Sequence, residues 1–354
     1  MSKNMQPVSK AFMTRRILLI VLIVILALIL VALVAFTIIV GDLLGSTRDV
    51  DNSRMDASEY QEFLDNQDET VDPEYTGVTM NPDDVEWGDG SFEILPHGNV
   101  INILLIGQDR REGQGRQRSD AMILCTLNYD EKTIVLTSFM RDMYVKIPGY
   151  DANRINACYQ IGGMELLDEC LLENFGVQVD GNIEVDFGGF MSVIDAIGGV
   201  DMELTQAEAN YLNRWGNWDV SDTAWTWDLK EGMNHMTGEQ ALAYSRIREI
   251  GNSDFGRTER QRKVLTALLD ACSGKSVGEL YDMLKELMPL MATDMKDNEL
   301  VSFAVDAFSI VSDIEIETMR IPADGTFQDA SIHGMQVLVP DLEANRELLK
   351  DVLS

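Results

Sequence analysis

The chain has 354 residues, and its 59 acidic side chains outnumber the 28 basic ones, which gives a formal net charge of −31. An apolar content of 45% is enough for a folded core and excludes a chain that is disordered throughout. The excess of acids argues against nucleic acid as a partner, because binding to a phosphate backbone requires a broad basic surface.

An uncharged apolar stretch, residues 17–40, is the first element along the chain. At a rise of ~1.5 Å per residue, a helix of this length spans the ~30 Å hydrocarbon core of a bilayer. Basic residues precede the stretch and acidic residues follow it, so the positive-inside tendency predicts a cytoplasmic tail at 1–16 and an extracellular remainder. A cleaved signal peptide is the alternative, but its apolar region is shorter, ~7–15 residues. We therefore predict a single-pass protein of the cell membrane that contacts membrane lipid.

Residues 41–92 are rich in acids and contain scattered Pro, Gly and Asn. This composition predicts a solvated extracellular stalk, helical around 57–64, that holds the next domain away from an anionic membrane surface. The composition changes near Phe92, so we place the folded domain at 93–354.

Strand and helix patterns alternate through this predicted domain. Three short apolar runs predict strands at 102–106, 121–127 and 133–139, the last two joined as a hairpin. Such continuous runs indicate strands that are covered on both faces. Helical patterns follow at 164–175, 187–197, 205–214, 237–244, 257–271, 277–288, 298–310 and from 342, with a strand at 200–204, another at 314–320 and an apolar run at 335–339. The predicted fold class is α/β, with helices on both faces of a mixed central sheet in a three-layer α-β-α arrangement.

Arginine is concentrated in three places of this acidic chain. Ten of the eighteen arginines lie in residues 110–118, at position 141 and in residues 246–262, with acids and amides among them. The guanidinium group is a planar fork of donors that pairs bidentately with phosphate, and carboxylates beside it can hold the divalent ion that phosphates recruit. The pattern predicts a site for a phosphate-rich group.

Two acidic side chains lie at the ends of neighbouring predicted strands. Asp109 follows the first strand and Asp120 leads into the second, so both can reach the edge where ligands of open α/β sheets bind. Paired carboxylates suit Mg²⁺ (or Mn²⁺), which completes its coordination with water and phosphate oxygens. Solvated loop charge beside a glycine-rich turn is the alternative interpretation.

Four further charged residues lie near the ends of predicted elements. Arg141 and Asp142 close the third apolar run. Arg246 and Arg248 are two residues apart, so their side chains point the same way if the chain there is extended. Both pairs are therefore candidates for the same phosphate site.

A helix start near Arg257 provides another candidate. Arg257 and Gln261 are spaced to share one helical face, and Asp254 is either the N-terminal cap of this helix or a carboxylate directed into the site. The positive end of the helix dipole favours a phosphate at this position.

Seven short motifs follow one another in order along residues 100–270. They are Asn102-Ile-Leu-Leu-Ile-Gly-Gln-Asp109, Arg118-Ser-Asp120, Ser138-Phe-Met-Arg-Asp142, Arg154-Ile-Asn-Ala157, Ile197-Gly-Gly-Val-Asp201, Gly238-Glu-Gln-Ala-Leu-Ala-Tyr-Ser-Arg-Ile-Arg248 and Asp254-Phe-Gly-Arg-Thr-Glu-Arg-Gln261. In this order and spacing the series resembles the LytR-CpsA-Psr family. It departs from the family pattern at Met140, where the family usually has proline.

The resemblance implies a phosphotransferase that moves an anionic glycopolymer, of teichoic acid or capsule type, from a polyprenyl pyrophosphate carrier to peptidoglycan through a phosphodiester. Asp109 and Asp120 would then hold Mg²⁺ together with the pyrophosphate. The side chains that bind phosphate oxygens would be Arg118, Arg141, Arg246, Arg248, Arg257 and Gln261. The catalytic set would be Arg118, Arg141, Asp142 and Asp254, in which either aspartate could accept the proton of the attacking hydroxyl.

The resemblance also implies an apolar tunnel for the tail of the carrier. Residues 164–172 and 187–197 are candidates for its lining, although ordinary core packing explains their pattern equally well. Two other functions stay open: hydrolysis of the same pyrophosphate by water, and a membrane-anchored regulatory or binding protein of the cell envelope that does no chemistry. The complete set of motif side chains argues against the last.

Overall fold

The computed structural model describes residues 50–66, 77–87, 94–95, 98–108, 110, 114–214, 227–251, 253–272, 275–296, 299 and 315–353. The predicted membrane span at 17–40, the helix predicted at 298–310 apart from residue 299, and Asp109 lie outside these residues. Among the described helices, none is both long enough and apolar enough to cross a bilayer.

A six-stranded mixed sheet forms the centre of the domain. The described strands are β1 (Val78–Thr79), β2 (Val100–Gln108), β3 (Ser119–Asn128), β4 (Thr133–Phe139), β5 (Tyr144–Val145), β6 (Asn153–Arg154), β7 (Gly181–Asp186), β8 (Val200–Leu204), β9 (Gly232–Met236), β10 (Met291–Thr293), β11 (Glu315–Ile321), β12 (Phe327–Ile332) and β13 (Met335–Pro340). The spatial order of the central sheet is β10-β7-β2-β3-β4-β11, in which β7/β2 and β4/β11 are parallel pairs and the others are antiparallel. The predicted mixed α/β sheet and its β3-β4 hairpin are confirmed.

Helices pack on both faces of this sheet. The described helices are α1 (Ala57–Asp65), α2 (Asn156–Phe175), α3 (Phe187–Ala196), α4 (Gln206–Arg214), α5 (Gly238–Ser245), α6 (Ser253–Cys272), α7 (Val277–Leu287) and α8 (Leu342–Leu353). Strand side chains alternate between the faces. Leu104 and Met122 pack in the core formed with α2 and α8, whereas Ile123 packs with Leu265 and Leu269 of α6.

Strand β7 was not predicted from the sequence, although it occupies a central position between β2 and β10. Its apolar residues, Ile183 and Val185, alternate with polar ones over only six residues, so it lacks the continuous apolar run of its neighbours. Its parallel pairing with β2 brings Asp186 opposite Gln108, next to the predicted metal site.

Residues 50–66, which the sequence analysis assigned to a solvated stalk, pack against the domain. The backbone N–H of Met55 donates to the carbonyl of Ile161 at 2.9 Å, and Phe63 of α1 is buried in the core beside α2. Tyr60, Phe63 and Leu64 lie on one face of the helix at the spacing of an amphipathic pattern. The surrounding acids obscured this short apolar pattern in the sequence.

Candidate active site

The pairing of β2 with β3 brings the end of β2 beside the start of β3, and the predicted metal ligands belong to these two strand ends. Gly107 pairs with Ala121, and after a local irregularity Gln108 pairs with Ser119. A Cβ atom at Gly107 would lie 3.2 Å from the Cβ of Ala121, so a larger residue would crowd this close pairing. The register brings the end of β2, which Asp109 follows, beside Asp120.

The guanidinium group of Arg141 lies between three of the predicted carboxylates. Its Nη1 donates to Oδ1 of Asp120 at 2.6 Å and its Nε to Oδ2 of Asp142 at 3.3 Å, while Nη2 is 3.7 Å from Oδ1 of Asp254. Burial opposes the charge of Arg141, but the three aspartates outweigh burial and raise the pKa of the guanidinium. Four predicted site residues from three parts of the chain thus form one ion-paired cluster.

Arg257 also contacts Asp254 and is almost fully buried. Its Nη2 is 2.9 Å from Oδ1 of Asp254, and Nε of Arg248 is 3.7 Å from the same oxygen. Only 4% of the Arg257 side chain is exposed, and among the described residues neither its Nε nor its Nη2 has an aligned hydrogen-bond acceptor. Burial, together with the nearby charge of Arg141, lowers the pKa of Arg257 to about 10. A buried cation with unused donors is suited to an anionic ligand.

Arg118 and Arg154 extend the cluster toward α1. The guanidinium of Arg118 lies 5.3 Å from the ring centre of Phe63, and its pKa is lowered by burial and then by the charge of Arg154. Arg154 lies 3.6 Å from Asp142 and donates to the carbonyl of Gln336 at 2.7 and 3.1 Å. Arg154 belongs to one of the seven motifs, but no role was predicted for it.

An apolar cavity of ≈ 780 Å³ lies between the central sheet and the helices on the α6 face. We call it the apolar cavity. Its wall includes Leu105, Ile123, Ile183, Phe190, Val193, Ile194, Val264, Leu265 and Leu268. Polar side chains border the same cavity. Six of them belong to the predicted site, namely Asp120, Arg141, Arg246, Arg248, Arg257 and Gln261, and Tyr211, Ser245 and Glu249 border it as well.

The two segments proposed for a tunnel lining have different positions. Four residues of 187–197, beginning with Phe187, line the apolar cavity, and the guanidinium of Arg246 lies 4.3 Å from the ring centre of Phe187. Residues 164–172 belong to α2 and contribute Met164 and Leu167 to the core on the opposite face of the sheet. That part of the expectation is wrong, because an apolar helical pattern does not reveal which face of a sheet the helix covers.

Three arginines near the cluster have partners within the protein and were left outside the predicted site. Nε of Arg260 donates to Glu208 at 2.9 Å, and its two terminal nitrogens donate to the carbonyls of Ile247 and Ile250. Arg262 donates to the hydroxyl of Ser138. Arg116 donates to three backbone carbonyls, those of Asp51, Ser53 and Gln160.

A buried network under the end of β2 was missed from the sequence. Glu184 of β7 accepts hydrogen bonds from Gln108 and from the hydroxyl of Tyr159, and it lies 3.4 Å from Nη2 of Arg110. Arg110 is also 3.6 Å from Asp186. Recognition of the alternating pattern of β7 would have revealed both acids, which lie near the same nitrogen of Arg110, the residue that follows Asp109.

Comparison with known proteins identifies the family. The LytR_cpsA_psr family description matches residues 55–351, which is most of the chain. The chain belongs to the LytR-CpsA-Psr family. One relative, the polyisoprenyl-teichoic acid–peptidoglycan teichoic acid transferase TagU of Bacillus mycoides, is 31% identical over 228 residues, covering 64% of this chain and 69% of TagU.

Two further LytR-CpsA-Psr proteins extend the comparison. The regulatory protein MsrR of Staphylococcus aureus is 28% identical over 257 residues, covering 72% of this chain and 74% of MsrR. The structure of Bacillus subtilis TagT with bound octaprenyl pyrophosphate lipid has a TM-score of 0.55 at 23% identity, and the match covers 76% of this chain and 95% of that one. The likeness to TagT establishes the fold.

The LytR-CpsA-Psr domain offers one described acid for the predicted metal. The carboxylate of Asp120 is 30% exposed and bonded to Arg141 through Oδ1. No group of three or more His, Cys, Asp and Glu residues capable of holding a metal is present in the part of the chain that the structure describes. Mg²⁺ usually takes only one or two protein carboxylates and fills its other positions with water and phosphate oxygens, so a small number of acids fits this ion.

Proposed function

We propose that this protein is a phosphotransferase that moves an anionic glycopolymer from a polyprenyl pyrophosphate carrier to peptidoglycan. The observation that carries the proposal is the position of the incompletely paired Arg257 at the border of the apolar cavity. A ligand with a long apolar tail and a pyrophosphate head matches both features. The names of TagU and the lipid-bound state of TagT support the same substrate class.

The tail of the carrier would enter the apolar cavity and place its pyrophosphate among the arginines. Arg141, Arg248 and Arg257 all lie within 3.7 Å of Oδ1 of Asp254, so their donors are gathered at one place. Arg246 and Gln261 border the cavity at the same end. Catalysis of phosphoryl transfer depends mainly on such positioning and on donors that offset developing charge.

The proposed transfer replaces one P–O bond with another. A hydroxyl oxygen of the acceptor glycan attacks the phosphorus that carries the polymer, and the bond from that phosphorus to polyprenyl phosphate breaks. Polyprenyl phosphate leaves with the bonding electrons, and Arg118, Arg141 and Arg257 offset its charge. The hydroxyl proton passes to a carboxylate, for which Asp142 and Asp254 are both candidates because each contacts Arg141.

We further propose that Asp120 and Asp109 hold Mg²⁺ (or Mn²⁺) at the end of β2. The metal would offset negative charge on the pyrophosphate. Asp120 would contribute its carboxylate, and Arg141 would hold that carboxylate in place through the bond to Oδ1. The predicted membrane span at 17–40 would keep the domain near its lipid substrate outside the cell, where peptidoglycan is also located.

Reconstitution of the full chain tests this function. The protein in lipid vesicles would be incubated with Mg²⁺, a radiolabelled polyprenyl pyrophosphate glycan and peptidoglycan, and label would be counted in the insoluble wall fraction. Label in that fraction is the result expected of a transferase. Free glycan phosphate would instead identify a hydrolase, and binding without any product would identify a non-catalytic protein.

Two variants and one control connect the activity to the site. Arg118→Ala and Asp120→Ala are expected to lower transfer by about 100-fold or more, because each removes a group that contacts phosphate or metal. Lys263→Ala is the control, since Lys263 is exposed on α6 and pairs with the exposed Glu259 at 2.8 Å. Unchanged transfer in Arg118→Ala or Asp120→Ala would contradict the proposed site.

A further inference from the structure

A second cavity, of ≈ 790 Å³, lies beside the arginine cluster and is lined mainly by polar side chains. We call it the polar groove. One wall is formed by α1 with the segment before it, including Glu59, Glu62 and Phe63, and the other by the residues that lead into β3, including Arg118. Asp120 borders both the polar groove and the apolar cavity.

The two cavities lie on opposite faces of the central sheet. Leu105 and Ile123 border the apolar cavity on the face that α6 covers. Gln160 of α2 borders the polar groove, and α2 covers the other face. Asp120 therefore marks the point at the sheet edge where the two spaces meet.

This arrangement matters because displacement at phosphorus places the attacking and leaving oxygens roughly in line on opposite sides. If the polyprenyl phosphate departs toward the apolar cavity, the attacking hydroxyl approaches from the side of the polar groove. The polar groove is thus the space through which the acceptor reaches the phosphorus.

The charges of the polar groove favour a neutral ligand over an anionic polymer. Three arginines line the polar groove. Arg54 is bonded to Glu169 at 2.6 Å and Arg116 donates to backbone carbonyls, so both already have acceptors in the protein, while Arg118 lies over the ring of Phe63 and belongs to the arginine cluster. The carboxylates of Glu59 and Glu62 line the same space. They repel an anionic chain, and their oxygens accept hydrogen bonds from sugar hydroxyls.

The wall formed by the segment before α1 is held in place by the domain. The hydroxyl of Tyr150 donates a hydrogen bond to the carbonyl of Met55. The backbone N–H of Met55 donates in turn to the carbonyl of Ile161 in α2. Gly163 has φ of +71°, and a Cβ atom there would lie 2.5 Å from Oδ1 of Asn52. The kink of α2 at this glycine therefore allows the segment to approach closely, and the groove is present before any ligand binds.

We propose that the polar groove binds the acceptor as a neutral, hydroxyl-bearing saccharide and directs one of its hydroxyls toward Asp120. The proposal rests on the function proposed above and adds the location and chemistry of the acceptor site. Gln117 and Gln160 offer amide groups to its hydroxyls.

The test uses two charge reversals on the same helix. Glu62 and Asp65 are both exposed on α1, but only Glu62 lines the polar groove. Glu62→Lys and Asp65→Lys add the same charge near the same helix end, so they are matched for any effect on α1. Binding of a radiolabelled peptidoglycan tetrasaccharide, whose lactyl carboxyl groups are converted to amides so that it is neutral, is measured by equilibrium dialysis against the full chain in detergent. Donor binding is measured in parallel.

We expect the saccharide Kd to rise about tenfold in Glu62→Lys, as for loss of one charge-assisted hydrogen bond, and to stay unchanged in Asp65→Lys. Glu62→Gln, which keeps an acceptor oxygen, is expected to retain most of the binding. Donor affinity should be the same in all variants. Equal effects of Glu62→Lys and Asp65→Lys, absence of saccharide binding in the wild type, or a loss confined to the donor would each overturn the proposal.

The same measurement separates this proposal from the function on which it rests. Saccharide binding that depends on Glu62, in a protein that transfers no polymer, would contradict the transferase but support the groove assignment. Active transfer that is equally sensitive to Glu62→Lys and Asp65→Lys would support the transferase and contradict the groove assignment.

Discussion

Two arginines on one helix, Arg257 and Arg260, have opposite relations to the protein around them. Both are buried on α6, less than one turn apart. All three guanidinium nitrogens of Arg260 donate hydrogen bonds to protein acceptors, including Glu208. Nη2 of Arg257 lies near Asp254, but among the described residues neither this nitrogen nor Nε has an aligned hydrogen-bond acceptor.

The difference shows that burial alone does not identify a functional arginine. A buried charge whose donors are all used stabilises a particular arrangement of the chain, and Arg260 holds the 247–250 turn beside Arg248. A buried charge with unused donors is unfavourable until a ligand supplies acceptors. The predictions below change one arginine or histidine at a time to test that distinction.

Arg260→Ala is expected to have the largest effect, and the effect is on stability. The free energy of unfolding should fall by ~3–5 kcal/mol, because the substitution leaves Glu208 as a buried charge without its cation. Urea unfolding of the full chain in detergent measures the change. Lys263→Ala serves as the exposed control on the same helix, with an expected change of ~0.5 kcal/mol or less. A similar loss in both variants would remove the basis for treating Arg260 as a structural residue.

Arg257→Met should have the opposite profile, with transfer reduced by about 100- to 1000-fold and stability kept or raised. Burial lowers the pKa of Arg257 to about 10, so folding disfavours its charged form, and this unfavourable contribution is present at every pH below about 10. An apolar side chain of similar length removes it. Transfer is assayed with wall label, and stability is measured as the melting temperature.

Melting in the presence of inorganic pyrophosphate tests whether Arg257 binds the anion. The anion should raise the melting temperature of the wild type by binding only the folded state, and the rise should be much smaller in Arg257→Met. If Arg257→Met instead melted as early as Arg260→Ala, both arginines would be structural and the distinction between them would fail.

Arg154→Gln is expected to be intermediate, because this guanidinium is shared between structure and site. It donates to the carbonyl of Gln336 and lies 3.6 Å from Asp142. We expect kcat/KM for transfer to fall about tenfold through a less fixed Asp142, with a smaller change in melting temperature than in Arg260→Ala. A loss as large as that of Arg257→Met would mean that Arg154 contacts the substrate itself.

The sequence predicted the central sheet more completely than the partners of its charged residues. Continuous apolar runs identified β3 and β4 because both faces of these strands are covered, whereas the alternating β7 was missed. The motif order indicated that Arg141 and Asp254 belong to one site. It could not show that Glu208, far away in the chain, satisfies Arg260 and not Arg257, because that choice depends on how α4 packs against α6.

Substitution of His235 is expected to have the smallest effect on stability. Its ring is hydrogen-bonded within the protein but exposed to solvent. Its Nδ1 is 2.7 Å from Oδ1 of Asp201 and its Nε2 is 2.8 Å from the carbonyl of Gly198. The bond to Asp201, followed by that to Gly198, raises the pKa of His235. The protonated ring therefore stabilises the β8-β9 hairpin fully below the unfolded pKa of ~6.5, and this contribution is lost as the pH rises through the higher folded value. We expect the melting temperature of the wild type to exceed that of His235→Gln slightly at pH 5.5 and to approach it by pH 9. A difference that is constant across this range would show that the ring acts through packing and not through its charge.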